Sequence, residues 1–324
     1  MNSKKALISG VTGQDGAYLA KLLLSKGYKV FGTFRRTSTP NFWRLQYADV
    51  YSKINLIPAD LTDMGSLINA MKISDPDEVY NMAAMSFVRT AFEQPVGNSH
   101  STGTAVTRFL ESIKSINPNV KFYQASSSEM FGNSNTQTQN EQTSFSPASP
   151  YAAAKLYAHW ITKIYQEAYD MFAVSGILFN HESPIRGLEF VTRKITNAAA
   201  QIKLGLKKDI SIGNLQSKRD WGYAPEYMEA IYLMMQQDKP ETYVVSTGET
   251  YSVEELARVS FEILNLDWKD YVKTDEKYFR PLDINLLRGD NSKAKNELGW
   301  EPKTKFHDLI KLMVNEDFKR WKMF

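Results

Sequence analysis

The sequence contains no cysteine, which excludes disulfide bonds, thiolate catalysis and cysteine-ligated zinc. Only four histidines are spread along the 324 residues, so a histidine-rich metal site is not expected, while a carboxylate site stays an alternative; no metal is predicted. Neither sign of charge dominates, because 39 Lys and Arg stand against 36 Asp and Glu, which argues against a dedicated nucleic-acid or polybasic membrane-binding protein. No apolar run approaches the roughly 20 residues of a membrane span. The N-terminal segment MNSKKALISG has no signal-peptide pattern, and a cytoplasmic protein is expected.

The first half of the chain alternates short apolar runs with helical patterns. A composition of 43% hydrophobic and 23% charged residues is that of a globular protein with a sizeable core. Strands are predicted at residues 6–9, 29–34, 54–59, 78–84, 121–125, 173–179 and 243–246. This alternation favours an α/β fold with a parallel sheet that is covered on both faces.

Three helices carry clear signals at their ends or along one face. The helix predicted over 151–169 has Ser149 as N-cap and Pro150 at its first position. A capping box, Ser252 to Glu255, opens another helix that runs to about Leu264. The tail over 306–321 has one apolar stripe and charges of mixed sign, which favours a packing helix over a membrane-surface helix.

A glycine-rich turn follows the first predicted strand and opens the first helix. Glycines allow a tight turn close to a pyrophosphate, and the helix N-terminus supplies unpaired N–H groups. The turn predicts a Rossmann-type, doubly wound dinucleotide-binding fold; the alternative is a purely structural turn. Its predicted cofactor-binding residues are Gly10, Thr12, Gly13, Gln14, Asp15 and Gly16.

The end of the second strand indicates which dinucleotide binds. NAD-binding proteins place an acidic residue there, whereas this chain has Arg35 and Arg36, which suit a 2′-phosphate and predict NADP. The alternative is a solvated arginine pair. Asp60 ends the third strand and can accept from an adenine amino group. Leu61, Ala83, Tyr151 and Lys155 are also predicted to contact the cofactor.

Two pairs of polar residues are candidates for catalysis. Tyr151 and Lys155 lie four residues apart on one helix face, where an ammonium group is expected to lower the pKa of the phenol so that it can accept a proton. Ser127 and Glu129 follow the strand at 121–125 and point to one side if the extended geometry continues. Glu129 would serve as a base, and Ser127 would help a hydroxyl to leave. The alternatives are helix-capping hydroxyls and a surface carboxylate.

These residues resemble the extended short-chain dehydrogenase/reductase family, and within it the GDP-mannose 4,6-dehydratases. The resemblance covers the chain from Gly10 to about Trp300. The segments that carry it are GVTGQDGAYLAKLLL, FYQASSSEMFG, SPYAAAKLYAHW, GILFNHESPIRG, FVTRK, KRDWGYA and FRPLDINLLRGD.

The resemblance implies a redox-neutral removal of water from GDP-mannose. Tyr151 would deprotonate the C4 hydroxyl, NADP would take and later return the hydride, and Glu129 would remove the C5 proton. The implied substrate contacts are Ser86, Asn180, Lys194, Arg219, Arg280 and Asp283. It also implies a homo-oligomer, a tetramer or dimer, whose loop 35–43 reaches a neighbouring subunit; Phe42 and Trp43 suit such an interface.

The resemblance also suggests two interleaved domains. Residues 1–180 would form the NADP-binding Rossmann domain, with a return segment near 215–250, and residues 181–324 would form the smaller α/β domain that binds the GDP-sugar.

Three positions depart from the pattern of the resembled family. Ser127 stands where the family usually has Thr, Met85 where it has Gln, and Asp283 where it has Glu. The first two are expected near the sugar, where they would enlarge the pocket or make it less polar. GDP-manno-heptose is therefore an alternative substrate. A GDP-4-keto-6-deoxy sugar reductase or epimerase is a second alternative, and a non-enzymatic NADP-sensing protein a third.

Overall fold

The structure is a computed structural model that describes residues 3–323. Its strands are β1 (Lys5–Ser9), β2 (Lys29–Phe34), β3 (Asn55–Pro58), β4 (Glu78–Asn81), β5 (Lys121–Ser127), β6 (Ala173–Leu178), β7 (Asn180–Glu182), β8 (Ile210–Ile212), β9 (Lys218–Arg219), β10 (Trp221–Tyr223), β11 (Tyr243–Val245), β12 (Tyr251–Ser252) and β13 (Val272–Thr274).

Helices cover both faces of the strands. They are α1 (Gln14–Ser25), α2 (Trp43–Tyr47), α3 (Met64–Ser74), α4 (Val88–Glu93), α5 (Pro95–Asn98), α6 (Ala105–Ile116), α7 (Pro150–Tyr169), α8 (Val191–Lys203), α9 (Ala224–Met235), α10 (Val253–Glu262), α11 (Ser292–Leu298) and α12 (Phe306–Lys322). A π-helical turn spans Ser99–Thr104, and 3₁₀ turns span Ser128–Phe131, Trp268–Asp270 and Glu276–Tyr278.

Seven strands form one parallel sheet, in the order β11-β6-β5-β4-β1-β2-β3. This arrangement confirms the predicted doubly wound α/β fold, and every strand predicted from the sequence is part of the sheet. The order reverses at β1, which pairs with β2 on one side and β4 on the other. Open sheets of this kind bind ligands outside the carboxyl ends of the strands at such a switch point.

Both faces of the sheet are buried, which explains why its strands are almost uniformly apolar. One face packs under α1 and α9, through side chains such as Leu19 and Ile231. The other packs under α3 and α6, through side chains such as Leu67 and Phe109. Side chains on both faces of β1 are buried, so its sequence is a continuous apolar run and does not alternate between apolar and polar residues.

A smaller α/β part contains three two-stranded sheets, which pair β10 with β7, β12 with β9, and β13 with β8. Helices α8, α10 and α12 share its apolar core. Ile310 and Val314 of α12 are fully buried there, which confirms that the tail is a packing helix. In residues 3–323, none of the helices combines the length and apolar character needed to cross a membrane. The domain boundaries proposed from the sequence stay a prediction.

The predicted helix caps are present and fix the start of two helices. Ser149 Oγ accepts a hydrogen bond from the backbone N–H of Ala152 at 3.1 Å, and Pro150 is the first residue of α7. Ser252 and Glu255 form the reciprocal capping box at the start of α10. The cap of α7 matters for the site, because Tyr151 and Lys155 lie in the first two turns of that helix.

Candidate active site

A cleft of about 360 Å³ opens where the glycine-rich turn leads from β1 into α1. Gly10 has φ +69°, and a Cβ there would come within 2.8 Å of the Ala83 backbone. A Cβ on Gly16 would come within 2.4 Å of the Gly10 carbonyl oxygen. Gly13, the N-cap of α1, has no side chain to occupy the first turn. The backbone N–H groups of that turn are thus left to a ligand, which fits a dinucleotide phosphate.

The cleft brings together most of the predicted cofactor-binding residues. All those predicted between Gly10 and Gly16 line it, together with Arg35, Asp60, Leu61 and Ala83. Arg35 acts electrostatically on Asp60, so these two residues mark the end of the cleft beyond β2 and β3. Three further predicted contacts do not line the cleft: Arg36 is exposed, and Tyr151 and Lys155 line a larger cavity that adjoins it.

Asp60 has a structural role beside its position in the cleft. Its carboxylate accepts from the backbone N–H of Thr62 at 2.8 Å and from its hydroxyl at 2.6 Å, and these hydrogen bonds hold the pKa of Asp60 below its ordinary value. Asp63 caps α3 by accepting from Gly65 and Ser66. The two acidic residues therefore fix the turn that follows β3.

A second cavity of about 660 Å³ adjoins the cleft. Asp15, Ser86 and Arg186 line both. The four residues predicted to be catalytic all line the larger cavity: Ser127, Glu129, Tyr151 and Lys155. The phenol and the carboxylate thus face one space beside the dinucleotide cleft, which is what a joint action on one ligand requires.

The electrostatics of Tyr151 differ from the sequence prediction. Burial raises the pKa of the Tyr151 phenol well above its ordinary value, and Glu129 adds to the rise, whereas a hydrogen bond with Ser127 and the charge of Arg186 lower it. The prediction that Lys155 lowers this pKa is wrong in this structure. Lys155 Nζ donates to the Ala125 carbonyl at 2.6 Å and lies 5.9 Å from the centre of the Tyr151 ring.

Lys155 is itself strongly affected by its surroundings. Burial lowers the pKa of the Lys155 ammonium group to about 8. The hydrogen bond of its Nζ with the Ala125 carbonyl holds the end of β5 against α7.

The backbone that carries Ser127 and Glu129 into the cavity is not the extended strand that the sequence predicted. The extended geometry ends at Ser127, and a 3₁₀ turn over Ser128–Phe131 follows. Ser127 Oγ accepts from the backbone N–H of Glu129 at 3.3 Å, so it caps the turn that carries the base. The capping alternative is therefore confirmed for Ser127, and its catalytic role stays a prediction.

Glu129 is buried and meets a cation inside the cavity. Arg280 Nη1 lies 3.3 Å from Glu129 Oε1. Arg219, which is also buried, acts on Glu129 electrostatically. The carboxylate therefore sits opposite two of the arginines predicted to bind the substrate.

The predicted substrate contacts all line the larger cavity: Ser86, Asn180, Lys194, Arg219, Arg280 and Asp283. Several are fixed by bonds within the chain. Lys194 Nζ donates to the Ser211 carbonyl at 2.8 Å and lies 4.0 Å above the Tyr278 ring. Arg219 donates to two backbone carbonyls, those of Lys218 and Ile284.

Asp283 is held in place by hydrogen bonds with neighbouring side chains and by Arg219. Its carboxylate accepts from Asn214 at 3.0 Å and from Ser217 at 3.2 Å, and it lies 3.8 Å from Arg219. The shorter side chain thus orients Arg219 and Asn214 at the wall of the cavity.

Met85 was predicted to lie near the sugar, but the structure places it at a different cavity from the predicted catalytic residues. It lines the dinucleotide cleft and not the larger cavity. Its backbone is fixed by hydrogen bonds with Thr102 and Asn98. Of the two departures expected near the sugar, only Ser127 lines the cavity that holds the predicted catalytic residues.

The sequence did not indicate a contact between His181 and Asp15, which joins the two parts of the fold. His181 Nε2 lies 3.0 Å from Asp15 Oδ2. Although burial opposes it, the charge of His181 and its hydrogen bond hold the pKa of the Asp15 carboxyl below its ordinary value. Gln14 also bridges, because its side chain bonds with the His181 carbonyl and the Ser183 hydroxyl. In the sequence, the segment NHESP at residues 180–184 was the only sign of this contact, and residue spacing did not indicate which residue His181 contacts.

Arg186 lies at the junction of the cleft and the cavity. Its Nε is 3.1 Å from Glu182 Oε2, and its guanidinium lies 3.6 Å above the Phe190 ring. In the part of the chain that the structure describes, no group of three or more His, Asp or Glu side chains could hold a metal ion.

Together, the parallel sheet, the glycine turn and the adjoining Tyr–Lys pair define an NAD(P)-binding short-chain dehydrogenase/reductase fold. DesIV, a dTDP-glucose 4,6-dehydratase from Streptomyces venezuelae solved with NAD and TYD bound, shares it with a TM-score of 0.87, 19% identity and coverage of 98% of each chain. RMD from Pseudomonas aeruginosa, solved with NADPH, gives a TM-score of 0.80 at 19% identity, over 98% of this chain and 100% of that one.

The sequence narrows this class to one family. The family model for GDP-mannose 4,6 dehydratase matches residues 7–313. GDP-mannose 4,6 dehydratase 2 of Arabidopsis thaliana is 51% identical over 326 residues, which cover 98% of this chain and 87% of that protein. The chain belongs to the GDP-mannose 4,6-dehydratase family.

Proposed function

We propose that this protein is an NADP-dependent GDP-mannose 4,6-dehydratase that forms GDP-4-keto-6-deoxymannose. One observation carries the proposal: Ser127, Glu129, Tyr151 and Lys155 line a single cavity that adjoins the dinucleotide cleft. A reductase needs the Tyr–Lys pair but has no use for a buried carboxylate at Glu129. Membership of the family supports the same substrate and reaction.

The first step is oxidation at C4 of the mannose. A bound nicotinamide supplies a hydride acceptor at this step and a hydride donor at the last. Tyr151 takes the proton of the C4 hydroxyl as the C4 hydride leaves. Burial keeps the phenol protonated in the free protein, so the groups that lower its pKa, Ser127 and Arg186, favour its action as a base.

The second step is elimination of water across C5 and C6. The C4 ketone acidifies the C5 proton, which Glu129 removes, and the C6 hydroxyl leaves as water with a proton from the Ser127/Glu129 pair. The hydride is then returned to C6, and C5 takes up a proton. The proton lost from the C4 hydroxyl balances the one gained at C5, so no reductant is consumed.

Cationic side chains along the cavity suit the diphosphate of a GDP-sugar. Lys194, Arg219 and Arg280 all line it. Arginine and lysine form charge-assisted hydrogen bonds with phosphate oxygens. Arg280 also contacts Glu129, so the sugar and its diphosphate are expected to bind with the reacting carbons beside the carboxylate.

Incubation of the purified protein with NADP and GDP-mannose tests the proposal. The expected product has lost the mass of one water and carries a ketone, with no net change in NADP. GDP-manno-heptose is the second substrate to be tested, because Ser127 lacks the methyl group of threonine and leaves more room in the cavity. Loss of water from GDP-manno-heptose alone would make it the substrate in place of GDP-mannose. Loss of water from neither compound would contradict the dehydratase function.

The preference for NADP is expected to depend on Arg35. Arg35→Gln should weaken NADP binding by about 10- to 100-fold, because hydrogen bonds to charged groups contribute roughly 1.5–3 kcal/mol. Binding of NAD should change little, since NAD lacks the 2′-phosphate. Titration calorimetry with both dinucleotides measures this.

Arg36→Gln is the matched control for Arg35, because Arg36 is its neighbour but does not line the cleft. We expect a smaller loss from this variant. Comparable affinity of the unmodified protein for NADP and NAD would contradict the assignment of the cofactor.

We propose in addition that the chain forms a homo-oligomer. The outer face of α7 exposes Tyr157, Trp160 and Ile164 at helical spacing, which suits contact with a second copy. Phe42 does not support this, because it packs within its own chain against Phe34 and Tyr51, with ring centres 5.3 Å apart in each case. Light scattering of the purified protein gives the number of subunits.

A further inference from the structure

Three consecutive backbone carbonyls in the loop 184–186 each accept a hydrogen bond from a different arginine. The arginines come from α12, α2 and α8, which are far apart along the chain. The bonds are Arg320 Nη1 to Pro184 O at 2.7 Å, Arg44 Nε to Ile185 O at 2.8 Å, and Arg193 Nη1 to Arg186 O at 2.6 Å. The loop that carries Arg186 to the junction of the cleft and the cavity is therefore held from three sides.

Two of these arginines have a buried anionic partner. Asp317, which is fully buried, lies 3.2 Å from Arg193 and 3.0 Å from Arg320. Trp43 packs beside all three guanidinium groups, at 4.6–6.0 Å from its ring centre. Within residues 3–323, Arg44 has no carboxylate within 4.0 Å, although its side chain is half-buried.

Arg44 also differs from the other two in its location. It lines the dinucleotide cleft, whereas Arg193 and Arg320 line neither the cleft nor the cavity. Burial lowers the pKa of the Arg44 guanidinium, and the charges that act on it are those of Glu189, Arg193, Arg186 and Asp15. Asp15 lies in the first turn of α1, where the backbone N–H groups point at a phosphate.

The cleft therefore has cations at two separate places. Arg35 lies beside Asp60, at the end beyond β2 and β3. Arg44 donates to the Ile185 carbonyl, and Ser183 of the same segment bonds with Gln14 at the start of α1, so Arg44 lies on the side of the glycine turn. NADP carries two negatively charged groups, its 2′-phosphate and its diphosphate. NAD has only the diphosphate.

We propose that Arg44 binds the diphosphate of the dinucleotide, and that Arg193 and Arg320 act as positioning residues for the loop 184–186. Nε of Arg44 is engaged by the Ile185 carbonyl, and its terminal nitrogens are left to meet the phosphate oxygens. The inference rests on the dinucleotide site proposed above, but not on the identity of the sugar.

Binding of the two dinucleotides, measured by calorimetry without any sugar, tests the assignment. Arg44→Gln should weaken NADP and NAD alike, by about 10- to 100-fold, because one charge-assisted hydrogen bond is lost in each case. The ratio of the two dissociation constants should stay within about threefold of its original value. Arg44→Lys keeps the charge and should recover part of the affinity.

Arg320→Lys is the control for an effect that acts only through the loop. It alters the hold on Pro184 outside the cleft, and it should change the affinity for either dinucleotide by less than about threefold. Unchanged affinity in Arg44→Gln, a loss confined to NADP, or an equal loss in Arg320→Lys would each overturn the proposal.

Circular dichroism checks that each variant is folded. If Arg44→Gln does not fold, the Arg44→Lys variant decides, because a loss confined to NADP there would also contradict a diphosphate contact. If the unmodified protein binds neither dinucleotide, the proposed cofactor is wrong and the assignment of Arg44 fails with it.

Discussion

Glu129→Gln is expected to stop the loss of water while oxidation at C4 continues. The amide keeps the size of the side chain but cannot accept the C5 proton, and removal of a general base lowers a rate by about 10²- to 10⁴-fold. In a single turnover, the reduced nicotinamide should therefore form and persist. Its absorbance follows the first step, and the mass of the sugar follows the second.

The control for this variant is Glu93→Gln, which removes an exposed carboxylate at the wall of the same cavity. It should leave both steps near their original rates. Persistent loss of water in Glu129→Gln would show that another group removes the C5 proton. The Arg280 guanidinium loses its carboxylate partner in this variant, so the apparent KM for the GDP-sugar is measured beside the rate.

Tyr151→Phe is expected to stop the reaction one step earlier. Without the phenolic oxygen, no group accepts the C4 hydroxyl proton as the hydride leaves, so both hydride transfer and water loss should fall by about 10²- to 10⁴-fold. Neither reduced nicotinamide nor dehydrated sugar should accumulate. Dinucleotide binding should be retained, because Tyr151 lines the larger cavity and not the cleft.

Tyr169→Phe is the matched control, since Tyr169 is exposed at the C-terminal end of the same helix and lies outside the proposed contact with a second copy. It removes the same hydroxyl group and should leave hydride transfer unaffected. Formation of reduced nicotinamide at the original rate in Tyr151→Phe would exclude the phenol as the base. The two variants together separate the oxidation from the elimination.

The sequence predicted the local elements well because their signals are local. The strand predicted at residues 29–34 has those bounds in the structure, and the caps at Ser149 and Ser252 are formed by the residues named. The glycine turn was also predictable. Each of these features depends on a few adjacent residues, through backbone freedom at glycine or a side chain that bonds with the next turn.

Strand ends and turns were less well predicted. The strand expected to end at residue 125 continues to Ser127, and the chain then turns instead of staying extended. Ser127 and Glu129 line the same cavity, as predicted, but a turn and not an extended strand brings them there. A single 3₁₀ turn replaces the alternation of a strand, and nothing in the spacing of the two residues distinguishes these geometries.

The sequence by itself determined the doubly wound fold, the dinucleotide turn and the identity of the four candidate catalytic side chains. Only the tertiary structure decided that Arg44 rather than Arg36 lines the cleft, that Asp15 contacts His181, and that Met85 lines the cleft and not the larger cavity. The contacts of Arg44 with Ile185 and of Asp15 with His181 each join residues more than 100 positions apart. Propensity and periodicity act within one element, whereas the packing of separate elements sets which distant side chains meet and how far burial shifts their pKa values.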